Sequence, residues 1–211
     1  QKKAMVKDLA LAPSDQGYRI SSSFPVKIVF VRKLIRQEAT GLVDSASGSF
    51  SFKPLAMDSY FGDTKAQNIV FNQDKNQVAF YQKGKLEQSF ALKDTMSDQL
   101  SMQLKLMRGA MAYQQDPQQN TLSLNALFLS RSGLDAQAWQ FDFSKDTLDT
   151  ALFGSVPVIK VSGTNQKNTG TWWFVPSKDF VLAQTKITDQ KGDVIEEKLL
   201  SYNKDKTCIV S

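Results

Sequence analysis

One stretch of this sequence, DTMSDQLSMQLKLMRGAMAY from Asp94 to Tyr113, keeps a helical period over several turns, while the other apolar segments read as strands. At about 100° per residue, Met96, Leu100, Leu104, Met107 and Met111 fall on one stripe of a helix covering roughly residues 95–112. Met102, Leu106, Ala110 and Tyr113 widen that stripe to over half the circumference, and Ser97, Asp98, Ser101, Lys105 and Arg108 take the polar side. So wide an apolar arc on a lone helix needs a broad concave partner, which a curved sheet supplies. The expected fold class is therefore mainly β: a curved antiparallel sheet or half-barrel of about a dozen strands wrapped around one main α-helix. Asp94 or Thr95 is placed to cap the helix, with Asp98 three residues beyond Thr95 in an approximate capping box. Pro117, inside the polar loop 114–120, blocks continuation.

The strands surround this segment. Residues 1–16 are polar, end in a turn signal, and are expected to be loosely ordered; residues 17–211 are expected to form a single β-rich domain. Within it a strand meander covers 17–93, the helix 94–113 and a second meander 121–211. Tyr18, Ile20, Phe24 and Val26 alternate with polar residues, and the β-branched run Val26–Ile35 reads as a further strand. SASG is a natural hairpin loop between Thr40–Val43 and Ser49–Phe52, and Pro54 is expected to end pairing there. Three strands in meander order follow, at 68–71, 77–81 and 86–92. After the helix come Thr121–Ser130, the alternating Trp139, Phe141 and Phe143, the short run Val156–Val161, and a loop at Asn165–Gly170. TWWFV puts Trp172 and Trp173 on opposite faces of one strand, and a hairpin of Phe180–Thr188 and Val194–Tyr202 closes the chain. No βαβ unit is present, which excludes a parallel nucleotide-binding sheet.

Composition narrows the chemistry. With 211 residues and 41% hydrophobic content the chain can build a full core. It contains no histidine, which removes the usual general base and the commonest metal ligand. Its one cysteine, Cys208, allows no intrachain disulfide and no thiolate metal cluster, and reads as a small buried hydrophobe at a strand end. No cofactor is expected. The net charge of +5 comes from scattered lysines and arginines without the clustering of a nucleic-acid binder, and no apolar run is long enough to span a membrane. Ser201-Tyr202-Asn203-Lys204 matches a serine–x–x–lysine string but lies at a strand end, whereas acyl-serine chemistry needs a helix N-terminus. Asp142, Asp146 and Asp149 lack calcium-loop spacing and read as a solvated turn.

The helix and the tryptophan pair carry the binding hypothesis. Methionine suits surfaces that accept variable apolar ligands, and equally fills irregular gaps in ordinary cores. Gln99 and Gln103 project into the apolar arc, where a buried amide needs hydrogen-bond partners or a ligand's polar head. The candidate site therefore lies between helix and sheet, lined by Met102, Leu106, Trp172 or Trp173 and edged by Gln99 and Gln103, with no catalytic residue and no metal. The expected ligand is an apolar or amphipathic envelope component. The alternatives are a structural or assembly factor for another envelope protein, and a glycan-acting enzyme relying on carboxylates such as Asp142 and Asp146. A chain starting at Gln1 rather than Met fits an exported product whose signal peptide has been removed, and a first residue other than cysteine gives no support for a lipid anchor.

Several strings carry a family resemblance: DTMSDQLSMQLKLM (94–107), SGSFSFKPLAMDSY (47–60), FGSVPVIKV (153–161) and WWFVPSKDFVLAQTKITDQKGDVIEEKLLSY (172–202). Together they resemble domain of unknown function 3108, exported proteins of Gram-negative bacteria. The matching features are the Lys53-Pro54 step, the Asp98-x-x-Ser101 helix start, Phe153-Gly154, and the Trp173-x-x-Pro176 turn with Lys191-Gly192-Asp193. The resemblance implies a periplasmic, predominantly β protein and carries no catalytic residues. A curved sheet cupping a helix is similar, at the level of fold, to periplasmic lipoprotein-carrier half-barrels.

Overall fold

The computed structural model describes residues 8–14, 17–28, 31–44, 51–130, 133–199 and 201. Most of them are in strands, with one α-helix among the described residues. The protein is mainly β, as the period-two patterns predict.

Two seven-stranded sheets hold the strands. The first is a meander of β1 (Asp8–Ser14), β2 (Gly17–Ile28), β3 (Val31–Asp44), β4 (Ser51–Phe61), β5 (Thr64–Asn72), β6 (Gln77–Gln82) and β7 (Lys85–Ala91) in sequence order. The second comprises β8 (Met96–Asp98), β9 (Thr121–Ser130), β10 (Gly133–Thr150), β11 (Gly154–Thr164), β12 (Asn168–Val175), β13 (Val181–Asp189) and β14 (Val194–Lys198). Its order runs from β14 back to β8, and the β8–β9 pair is parallel. The helix α1 (Ser101–Gln115) lies between β8 and β9 in sequence. The chain forms two compact units, Met5–Gln103 with Asn125–Gln137, and Leu104–Leu124 with Ala138–Lys204; they are called the amino-terminal and carboxy-terminal units below.

Several local expectations are corrected. The helix begins at Ser101 rather than near 95, because Met96–Asp98 is extended and pairs with Asn125–Leu127. Val26–Ile35 is not one strand: β2 ends at Ile28, β3 starts at Val31 opposite it, and the turn positions lie outside the described residues. An unbroken apolar run cannot by itself show where a chain reverses. Pro54 does not end pairing but sits opposite Gly41 inside β4, at a register shift. A bulge interrupts the ladder locally, so the missing N–H of proline is tolerated there. The loop expected at 165–170 is shorter, since β12 already starts at Asn168. The stretch 8–14, expected to be loosely ordered with the rest of 1–16, is the partly apolar DLALAPS and forms β1, paired with β2.

The core of the carboxy-terminal unit follows from alternation. Trp139, Phe141 and Phe143 are buried in β10 while Gln140 and Asp142 between them are exposed. Trp139 and Phe141 stack at 5.7 Å, and Trp172 meets both edge-on at 5.7 and 5.5 Å. The Trp172 ring lies over Gly163 and Gly170, which face each other across β11 and β12. A Cβ at Gly170 would stand 2.4 Å from that ring. Trp173 points the other way, into a smaller cluster of Val158, Val175 and Ala183 with Leu148, Phe153, Val156 and Val181 around it. The two tryptophans thus anchor apolar packing on both faces of one sheet.

Alanine ordinarily suits a strand better than glycine. Gly170→Ala should nevertheless destabilise the protein, by about 1–3 kcal/mol, because Trp172 has no room to retreat. Urea unfolding followed by tryptophan fluorescence measures this; a neutral or stabilising result would contradict the packing.

Candidate functional site

The six residues expected to line a groove are placed as follows. Met102, Leu106 and Trp172 are only 3%, 0% and 1% exposed, so their side chains are used up as core. Gln99 is half-buried, and its amide donates to Gln37 Oε1 at 2.7 Å. Gln103 and Trp173 are half-buried. Gln99, Met102 and Gln103 belong to the amino-terminal unit; Leu106, Trp172 and Trp173 belong to the other. The amide at Gln99 has thus found its partner in a second amide rather than a ligand.

In the amino-terminal unit the most enclosed polar group is Asp98, which is fully buried. One carboxylate oxygen accepts the backbone N–H groups of Leu100 and Ser101, both at 2.9 Å, and the other accepts the Ser101 hydroxyl at 2.6 Å. These are the bonds of a helix N-cap, so Asp98, rather than Asp94 or Thr95, starts α1. The Tyr18 hydroxyl donates to Ser101 Oγ at 2.7 Å, completing a chain from β2 to the helix start. Tyr18 reaches that position because Gly41 faces it across the ladder, where a Cβ would lie 2.4 Å from the ring. Burial pushes the Asp98 carboxyl above the usual carboxylate range, against the pull of the Ser101 and Leu100 hydrogen bonds. Burial, together with the charge of Asp98, holds the Tyr18 hydroxyl well above its ordinary range. Nothing in this hydrogen-bonded chain opens to solvent: Tyr18, Asp98 and Ser101 are 1%, 0% and 0% exposed.

The carboxy-terminal unit carries a pocket of about 450 Å³ lined by Gln114, Lys145, Asp146, Pro157, Val158, Ile159, Pro176 and Ser177. Each contributor has a local reason to be there. Gln114 sits in the last turn of α1, Lys145 and Asp146 pair with Ile159 and Val158 across β10 and β11, and Pro176 opens a 3₁₀ turn after β12. On the face of β10 opposite Lys145, Asp146 accepts the Thr147 backbone N–H at 2.8 Å, faces Lys160 at 3.4 Å, and accepts a hydrogen bond from the Trp173 side chain. The Thr147 bond first, and the Lys160 charge with the Lys160 and Trp173 contacts behind it, hold its carboxyl below the usual range. A second pocket, of about 340 Å³, lies in the amino-terminal unit between Lys65, Gln67, Asn68, Tyr81 and Lys83. None of the six expected residues lines either pocket. The proline-flanked strings VPVI and VPSK were the available signals for the larger one.

Asp142, Asp146 and Asp149 lie within β10 rather than in the expected turn, and Asp142 and Asp146 stand four positions apart, about 13 Å at the usual rise. Paired carboxylates of glycoside hydrolysis lie about 5–9.5 Å apart. Among the described residues no three Asp, Glu, His or Cys side chains converge on a point, and no helix is long and apolar enough to cross a membrane. Cys208 and most of the Ser201–Lys204 string lie outside the described residues. No protein-family model, curated protein or solved structure matches the chain.

A carboxyl raised in the folded state keeps a proton that the unfolded chain has already released, so Asp98 contributes stability at low pH that is lost as pH rises through its folded value. Unfolding free energy should therefore contain a component that falls with pH above about 4 and is absent in Asp98→Asn, which retains the cap acceptor. Asp98→Ala should cost about 2–4 kcal/mol, from the lost cap and the buried groups left unpaired. Urea titrations across the pH range check both; an unchanged slope in Asp98→Asn would contradict the assignment.

Proposed function

We propose that the protein is a non-enzymatic binder of an amphipathic envelope component, acting in the periplasm of a Gram-negative bacterium. The envelope location rests on the resemblance to domain of unknown function 3108. One observation carries the binding reading: the pocket of about 450 Å³ in the carboxy-terminal unit, with apolar lining from Pro157, Ile159 and Pro176 and polar lining from Gln114, Lys145 and Ser177. That volume falls in the range of small-molecule sites, about 300–1,000 Å³. The helix flank is unsuited to the role, because Leu100, Met102, Leu104, Leu106 and Ala110 are buried already.

A second reading, an assembly factor for another envelope protein, is favoured by β7. Six of its seven residues are exposed, it stands at the end of the first sheet, and Leu86 is 58% exposed. An edge strand of this kind accepts an added strand through backbone hydrogen bonds.

Native mass spectrometry of gently purified protein distinguishes the two. The binding reading predicts a small amphiphile retained at one per chain and displaced by a competing amphiphile. A bare polypeptide mass, together with a stoichiometric protein partner in crosslinking, would favour assembly.

A further inference from the structure

We propose that the pocket of the carboxy-terminal unit takes an amphipathic anion, a medium-length alkyl chain ending in a carboxylate or phosphate monoester, with the head at Lys145 and the chain along Pro157, Ile159 and Pro176. This rests on the binding reading above and adds the ligand's charge and orientation.

Charge at the rim decides the head group. Asp146 is the acidic residue in the lining, and it is already satisfied by the Thr147 N–H, the Lys160 ammonium and the Trp173 side chain. Lys160 is committed to that pair, and the Lys178 ammonium stands 5.7 Å from the Phe153 ring centroid. Lys145 is exposed and has no carboxylate partner among the described residues. One uncompensated positive charge therefore faces the opening, beside the Gln114 amide and the Ser177 hydroxyl, which can each donate to an anionic oxygen. A neutral amphiphile would leave that charge unused, and a cationic one would be repelled by it.

The floor decides the tail. Ile159, which pairs with Lys145 across β10 and β11, is 3% exposed, while Pro157 is exposed and Pro176 half-exposed. Two prolines give a rigid apolar edge without a backbone N–H to satisfy. The surface accepts methylenes and offers little to a sugar or a peptide backbone. Each methylene placed against it should tighten binding about fourfold.

Isothermal titration of the intact chain with sodium decanoate, below its micelle concentration, tests the assignment. Expected are one site per chain, affinity about fifteenfold weaker for octanoate, and similar binding of decyl phosphate, since either head presents the anionic oxygens that Lys145 would take. Lys145→Gln should weaken decanoate about tenfold, Lys145→Arg should restore it, and 1-decanol should be indifferent to both. Pro157→Glu, at an exposed position, should abolish decanoate binding through repulsion at the mouth. Equal binding of decanoate and decanol, unaffected by Lys145→Gln, would overturn the head-group assignment while leaving an amphiphile binder intact. No saturable binding of either, with a retained amphiphile still seen by native mass spectrometry, would place the ligand elsewhere. Binding only to anionic phospholipid vesicles would also overturn the pocket, in favour of a membrane surface.

Discussion

The buried carboxylate of Asp98 is the constraint on which the organisation of the amino-terminal unit depends. A carboxyl with no access to water survives only where every oxygen is supplied with donors. Two backbone N–H groups and the Ser101 hydroxyl supply them, and they converge on Asp98 because the chain turns there into the first turn of a helix that begins at Ser101. The residues before it are then free to extend, and they pair with β9 as β8. The same hydroxyl accepts from Tyr18, whose ring needs the bare backbone of Gly41 opposite. Strand, helix start and aromatic core are thereby locked to one side chain.

The carboxy-terminal unit is organised differently, by large rings rather than by a polar bond. Trp172 flattened over Gly163 and Gly170 closes the main core, and Trp173 on the reverse face gathers a second apolar cluster. The Trp173 side chain also reaches Asp146. Packing and electrostatics therefore share a residue: the ring that fills the second cluster also supports the carboxylate paired with Lys160, while Lys145 stands on the other face of β10.

Much of the strand framework was legible because it is half-buried. Thr121–Ser130, the Trp139–Phe143 alternation and the 181–198 hairpin are places where one face is wet and one is dry, so a period of two is written into the residues. The helix start was misplaced because Met96, Ser97 and Asp98 fit a helical wheel equally well, and only a tertiary partner, β9, decides against it. Pro54 misled for a related reason, since a bulge that excuses a proline is a property of two strands together. The site was the least legible. Apolar arc and methionine content could not distinguish a groove from a core, and the residues that do line a pocket are brought together by strand ends and a 3₁₀ turn rather than by any local motif.

Hydrogen exchange with and without saturating decanoate tests most directly where the apolar surface of this protein is used for binding. Added protection is expected at amides 158–160, 177–178 and the last turn of α1, and none around Gln99–Leu106, whose side chains are already enclosed or hydrogen-bonded. Protection concentrated at Gln99–Leu106, with residues 157–160 unchanged, would contradict it.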